Sequence, residues 1–217
     1  NYSHYDFLGA VENFFSKCAP AMFMGWSNLN FDRRMFHFNF FKGNRYPYTT
    51  HSSPNQEHDG LHIARAAQTL NPETLKTELT EAGNPSLALE SLSRMQGFDT
   101  SASHTAYVDA QNSLKVLRII KDKHKENWQT FLKTSTKPSV ETILKNDGIY
   151  SIFENVKGRN MMYLVSTLHP NQCFHPSYAS WGYLWDCRRD PEPLLNLPIN
   201  QLRDVLKKMS PKALRVL

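Results

Sequence analysis

The chain has 217 residues, 40% of them hydrophobic and 12% aromatic, and its 25 Lys and Arg against 20 Asp and Glu give a formal charge of +5. That content can bury a core, and a mean hydropathy of -0.53 is that of a soluble chain. No apolar run approaches the ~20 residues that span a bilayer, and no basic-then-apolar secretion signal opens the sequence.

Three cysteines, Cys18, Cys173 and Cys187, lack C-x-x-C spacing, so a reducing cytoplasm is expected rather than a disulfide framework. His169, Cys173 and His175 invite a zinc reading, but three close ligands without a second pair fit a Pro-rich loop better. The basic excess is uneven: residues 1–124 carry 12 Lys and Arg against 12 Asp and Glu, residues 125–217 carry 13 against 8. A neutral part with carboxylates beside a basic part suits an anionic polymer.

In chain order, Ser3 and Asp6 predict the cap of a first helix whose apolar stripe is Phe7, Leu8, Val11, Phe14, Phe15 and Cys18. Pro20 breaks it, and Ala21 to Trp26 reads as a short buried strand. A second helix is expected from Phe31 to Phe41, ended by Gly43-Asn44. Residues 44–58 read as loop, and Asp59 to Leu70 as a third helix closed by Asn71-Pro72. Pro85-Ser86 opens a helix that Gly97 stops, and His104 begins the next, with Ala106, Ala110, Ser113, Leu114, Leu117 and Ile120 as its buried side. The charge run Lys121 to Glu126 is a solvated helix end and the expected domain boundary. Beyond it, Trp128 to Leu132 and Asn200 to Met209 read as helical. Ile149 to Phe153, Met161 to Leu168, Tyr183 to Trp185 and Ala213 to Leu217 read as strands of a small β-rich module.

Helix, apolar strand and polar turn form an α/β pattern, and the chemistry sits at its junctions. Asp32 follows the strand and turn Gly25-Trp26-Ser27-Asn28-Leu29-Asn30-Phe31, and His104 and Asp109 stand at the entry of a helix. Phosphodiester hydrolysis needs a nucleophilic water and stabilised charge on the phosphate; two metal ions about 3.5–4 Å apart supply both, and carboxylates are natural ligands for Mg²⁺. His104 could then accept a proton from the attacking water. Its five-residue offset from Asp109 is about 500° of helical rotation, so it belongs on the entering loop. The plainer reading makes both aspartates helix-entry carboxylates that favour the dipole.

The series Gly25 to Asp32, Tyr46-Pro47-Tyr48, Asp59 with Arg65, Asn84-Pro85-Ser86-Leu87-Ala88-Leu89-Glu90, and His104 to Asp109 resembles the exodeoxyribonuclease I family in order and spacing. Lys137, Leu168-His169-Pro170-Asn171 and Pro191-Glu192-Pro193-Leu194-Leu195 extend the resemblance over nearly the whole chain. That DEDDh-type family degrades single-stranded DNA from the 3′ end, in repair and recombination, and engages the single-stranded DNA-binding protein.

The resemblance implies an α/β ribonuclease H-like exonuclease domain over residues 1–124, without its first strands, and an incomplete SH3-like module over 125–217. It makes Asp32 and Asp109 two of four acidic metal ligands for two Mg²⁺ ions, with Mn²⁺ as the alternative, and His104 the general base. His37, Tyr48, Arg65 and Lys137 match positions that contact single-stranded DNA. An aromatic face can stack on any base, while basic groups track phosphates. The plainer readings are a turn residue packed on Pro47 for Tyr48, a solvated helix arginine for Arg65 and an exposed lysine for Lys137. His37 stands where an arginine is expected, and Ala88 replaces a basic residue. The family's Asp-x-Glu motif should lie before Asn1; with Leu217 inside an apolar run, this predicts an internal fragment, a monomer and inactive alone. The alternatives are another DEDDh nuclease acting on RNA, a non-catalytic single-strand-binding module, or a protein scaffold.

Overall fold

In a computed structural model, residues 3–100, 105–146, 148–167, 182 and 184–208 are described. The chain divides into two compact units, Asn1–Ser139 with Asn155–Asn160, and Val140–Glu154 with Met161–Leu217.

In the first unit, helix α1 (His4–Cys18) opens at Ser3, whose hydroxyl accepts the Asp6 N–H at 3.1 Å and donates to the Asp6 carboxylate at 2.6 Å. The expected stripe is only partly covered: Leu8 is buried, while Phe7 and Phe14 are 55% and 62% exposed. Phe15 packs edge-on against Phe23 at 4.9 Å and Phe36 at 5.5 Å. Strand β1 (Met22–Gly25) is half-buried throughout rather than buried. A turn with Ser27 at φ +60° leads into α2 (Asp32–Lys42), which Gly43 and Asn44 end as expected.

Strand β2 (Gln56–Asp59) lies in the stretch the sequence reads as loop, and pairs parallel with β1 from Met22↔Gln56 to Gly25↔Asp59. Its four residues are all polar, yet Glu57, His58 and Asp59 are buried. Buried polar groups need partners, and alternation along a strand separates them into two faces. Glu57 and Asp59 turn toward the β1–α2 turn and α2, where Asn28, Arg33, Ser27 and Leu29 donate to them. Gln56 accepts from the Ser135 hydroxyl and His58 meets the Phe131 carbonyl.

Helix α3 (Gly60–Leu70) begins at a close approach: a Cβ at Gly60 would lie 3.0 Å from the Gly25 carbonyl oxygen and 3.1 Å from the Trp26 ring, so either neighbour would have to shift by a few tenths of an ångström. Helix α4 (Leu89–Met95) starts later than Pro85-Ser86, because Ser86 donates its N–H to the Glu78 carbonyl in an extended segment. Gly97, at φ +76°, stops it. In α5 (Ala106–Lys123) the buried face is Asn112, Ser113, Val116, Leu117 and Ile120, whereas Ala106, Ala110 and Leu114 are exposed. The Asn112 amide occupies a core position because it donates to the Asp99 carbonyl at 3.1 Å.

The core joins Ile63, Ala64 and Ala67 of α3 with Leu75, Leu87, Leu92, Val116, Leu117 and Ile120. Trp128, Phe131 and Leu132 of α6 (Lys125–Lys133) pack against it. The first unit therefore runs past the charge run at which the sequence divides residues 1–124 from 125–217, to Ser139. The charge run itself holds a break at buried His124, whose Nε2 lies 2.6 Å from the Thr74 hydroxyl.

Helix α7 (Lys137–Lys145), not expected from the sequence, runs across the division. Strands β3 (Ile149–Val156), β4 (Arg159–Thr167) and β5 (Leu184–Asp186) follow in sheet order β3-β4-β5, with β4 and β5 antiparallel. Lys157 and Gly158, both at positive φ, supply the two-residue turn between β3 and β4. In the second unit the Tyr150 hydroxyl donates to the carbonyls of Ile143 and Asn146. Helices α8 (Glu192–Leu195), also unexpected, and α9 (Ile199–Lys208) complete it. The expected strand at 213–217 and the cluster of His169, Cys173 and His175 lie outside the described residues. Among the described residues no helix is long and apolar enough to cross a membrane.

His58 Nδ1 accepts the Asp59 N–H at 2.8 Å, so Nε2 carries the proton toward Phe131. Burial pulls the His58 and His124 pKa values below the ordinary histidine value. A depressed histidine adds stability above the unfolded-state pKa near 6.5 that is lost as pH falls through the folded-state value. The melting temperature of the chain is expected to be level from pH 8 to 7 and to decline below about pH 6.5. His58→Ala should soften that decline while costing about 1–3 kcal/mol at pH 7.5. Melting that rises on acidification would contradict this account.

Candidate active site and nucleic-acid interface

Asp32 is the first residue of α2 and is exposed. The turn that delivers it is held from β2. The Asp59 carboxylate, fully buried, accepts the N–H groups of Ser27 at 2.8 Å and Leu61 at 2.9 Å on Oδ1, and that of Leu29 at 3.3 Å on Oδ2. Glu57 accepts from the Asn28 amide at 3.0 Å and from Arg33 Nε at 2.9 Å, with the Thr50 hydroxyl at 3.4 Å. Asn28 precedes Asp32 and Arg33 follows it, so Glu57 grips the chain on both sides of that carboxylate.

Asp109 lies half-buried in the first turn of α5, and its carbonyl accepts the Ser113 hydroxyl at 2.8 Å. His104 lies outside the described residues. Two aspartates offer the hard oxygen donors that Mg²⁺ takes. Among the described residues, however, no three His, Cys, Asp or Glu side chains gather where one ion could be held. Asp32 and Asp109 suit part of a ligand set and do not make a whole one.

His37 and Tyr48 come together. Their rings meet edge-on at 5.2 Å, His51 lies 5.1 Å from His37 and 5.5 Å from Tyr48, and Tyr46 meets Tyr48 at 5.5 Å. Burial, then the neighbouring Arg33 guanidinium, lowers the pKa of both His37 and His51. His37 is thus neutral at pH 7 and contributes a ring rather than the charge of an arginine. It lines an open groove with Arg34, Phe38, Phe41, Pro47 and Tyr48.

Arg65 lines a different groove, beside Trp26, Ser27, Leu61, Ser86 and Ala88. It is half-buried, and among the described residues its Nε is enclosed without a hydrogen bond. Trp26 is fixed there by donating Nε1–H to the Leu87 carbonyl at 3.0 Å. Among the described residues that line this groove, Arg65 is the one Lys or Arg. Lys137 opens α7, is exposed, and lines neither groove.

Sequence reasoning passed over Glu57, Arg33 and His51, which set the positions of Asp32 and His37. The available signal was the unbroken polar run Gln56-Glu57-His58-Asp59 ending on a helix cap, which carries no strand periodicity.

No protein-family model matches the chain. Its fold is the α/β fold of exonuclease I. It superposes with a TM-score of 0.74 and 20% identity on an ExoI/SSB-Ct complex, over 97% of this chain and 45% of that one. It superposes with a TM-score of 0.72 and 20% identity on E. coli exonuclease I in complex with a 5cy-dT13 oligonucleotide, over 95% of this chain and 45% of that one. In sequence the chain is similar to exodeoxyribonuclease I of Haemophilus influenzae, 25% identical over 182 residues. That alignment takes in 83% of this chain and 38% of the relative, so the chain spans about two fifths of the length of the curated protein it matches.

Asp59→Ala removes the helix cap of α3 and leaves the N–H groups of Ser27 and Leu29 without their acceptor. A loss of about 3 kcal/mol is expected in urea unfolding. A variant as stable as the parent would show that the β1–α2 turn is held by something else.

Proposed function

We propose that the protein bearing this chain is a 3′→5′ exonuclease that hydrolyses single-stranded DNA to mononucleotides, serving repair and recombination in the cytoplasm as a monomer. The observation that carries this reading is the similarity to exodeoxyribonuclease I over 83% of the chain. The gathering of His37 and Tyr48 supports it, since the resemblance implies a single-stranded DNA contact at both positions. In this reading Asp32 and Asp109 are two of four carboxylates for two Mg²⁺ ions, with Mn²⁺ as a substitute. The ions, when bound, supply charge neutralisation at the phosphate and polarise a water. His104 would accept the proton of the attacking water, and Arg65 and Lys137 would hold phosphates. The second unit serves as an SH3-like accessory module, and the single-stranded DNA-binding protein is the partner.

A second reading is a binding module without catalysis, favoured by the lack of three gathered metal ligands among the described residues. The two separate cleanly. The 217-residue chain, with two of the four acidic positions matched, is expected to bind a 5′-labelled oligo(dT) with strong salt dependence and not to cut it. The natural full-length protein is expected to shorten the same strand from its 3′ end in Mg²⁺. Asp109→Ala or Asp32→Ala should reduce release of mononucleotides by about 10³-fold. A full-length protein that binds but never shortens the strand would leave the binding module; one that neither binds nor cuts would end both readings.

A further inference from the structure

The groove between α2 and the Pro47-Tyr48 turn holds, besides His37 and Tyr48, residues that nothing above assigns. Arg34, His37, Phe38 and Phe41 recur at i, i+3, i+4 and i+7 along α2, which places them within about 100° of one another around the helix. The same rotation sets them roughly opposite Asp32. Phe38 and Phe41 are 59% and 77% exposed, an unusual exposure for two phenylalanines that share a face. Lys42 stands over the Phe38 ring at 5.2 Å, and Arg34 lines the groove. Among the described residues no acidic side chain lines it. The Glu57 carboxylate behind α2 is buried and engaged by Arg33 and Asn28.

An apolar partner protein would meet two cations here; a lone anion would meet mostly rings. What fits both is a flat apolar ring joined to a phosphate. Tyr48 is held edge-on by His37, His51 and Tyr46, so one wall is fixed before any ligand arrives. A fixed wall lowers the ordering cost of binding.

We propose that this groove is a remote nucleobase subsite, in which an unpaired base of a single strand stacks among Phe38, Phe41 and Tyr48 while Arg34 and Lys42 take the adjoining phosphates. It lies on the side of α2 away from Asp32, so it holds the strand apart from the end that reacts. The inference rests on the nucleic-acid reading above and adds Arg34, Phe38, Phe41 and Lys42 to it.

The test compares the 217-residue chain on two fluorescent 20-mers of equal charge, oligo(dT) and an abasic strand. The parent chain is expected to prefer oligo(dT) by tenfold or more. Phe38→Ala/Phe41→Ala should erase about tenfold of that preference and leave abasic binding as it was. Arg34→Ala should weaken both strands alike. Phe14→Ala, equally exposed on α1, should change neither. A double variant that keeps the full preference for oligo(dT), while Arg65→Ala loses affinity, overturns the subsite and leaves the DNA reading standing. A parent chain that binds neither strand at low salt overturns the DNA reading itself. If instead sedimentation shows that the double variant dissociates a dimer, the groove is a contact between copies and the proposal fails.

Discussion

Everything near the candidate site depends on a carboxylate that does no chemistry. Asp59 is completely buried, and a buried charge is tolerable only when hydrogen bonds replace its water. Three backbone N–H groups do so, two from the turn after β1 and one from the first turn of α3. One side chain therefore ties a strand end, a helix start and the turn that delivers Asp32. Glu57 repeats the device two residues earlier on the same strand face. Its partners are Asn28 of the turn and Arg33 in the first turn of α2. The opposite face of β2 reaches α6 through His58 and Gln56. A four-residue polar strand thus positions elements on both sides of it.

This explains which parts of the fold were legible in the sequence. Helices α1, α2 and α3 announce themselves through caps and stops: Ser3, Asp59, Gly43-Asn44 and Asn71-Pro72 act locally, and local chemistry can be read without knowing the neighbours. The strand β2 is stabilised by groups 24 to 79 residues distant in sequence, so its polar residues look like loop until those partners are in place. The buried face of α5 failed for a related reason. Alanine and leucine were preferred over Asn112, but Asn112 finds the Asp99 carbonyl and takes the core position. The compact first unit continues past the charge run Lys121 to Glu126 because Trp128, Phe131 and Leu132, which follow it, pack against the core.

The candidate site was legible to a different degree at each residue. Tyr48 belongs to the Tyr46-Pro47-Tyr48 motif and His37 stands where the resemblance expects an arginine; their rings meet. For Arg65 the resemblance implies a single-stranded DNA contact and the plainer reading a solvated arginine; the side chain is half-buried and lines a groove with Trp26, Ser86 and Ala88. What no motif could supply is the neutral state of His37. That follows from burial and from Arg33, which is itself drawn close by Glu57.

The neutral histidine alters how a strand would be held. An arginine at that position would add one phosphate contact and, with it, one more released counterion. A neutral ring beside Tyr48 shifts the balance from charge toward stacking, which every base can satisfy. The cations that remain on this face, Arg34 and Lys42, lie on exposed turns of α2, where the loss of one affects neither the buried carboxylates nor the turn that they hold. Affinity on this face can therefore change in evolution without moving Asp32. The separation follows from β2: because Glu57 holds Arg33 of α2 and Asp59 holds the turn before it, the outer side of α2 is free to carry whatever the ligand requires.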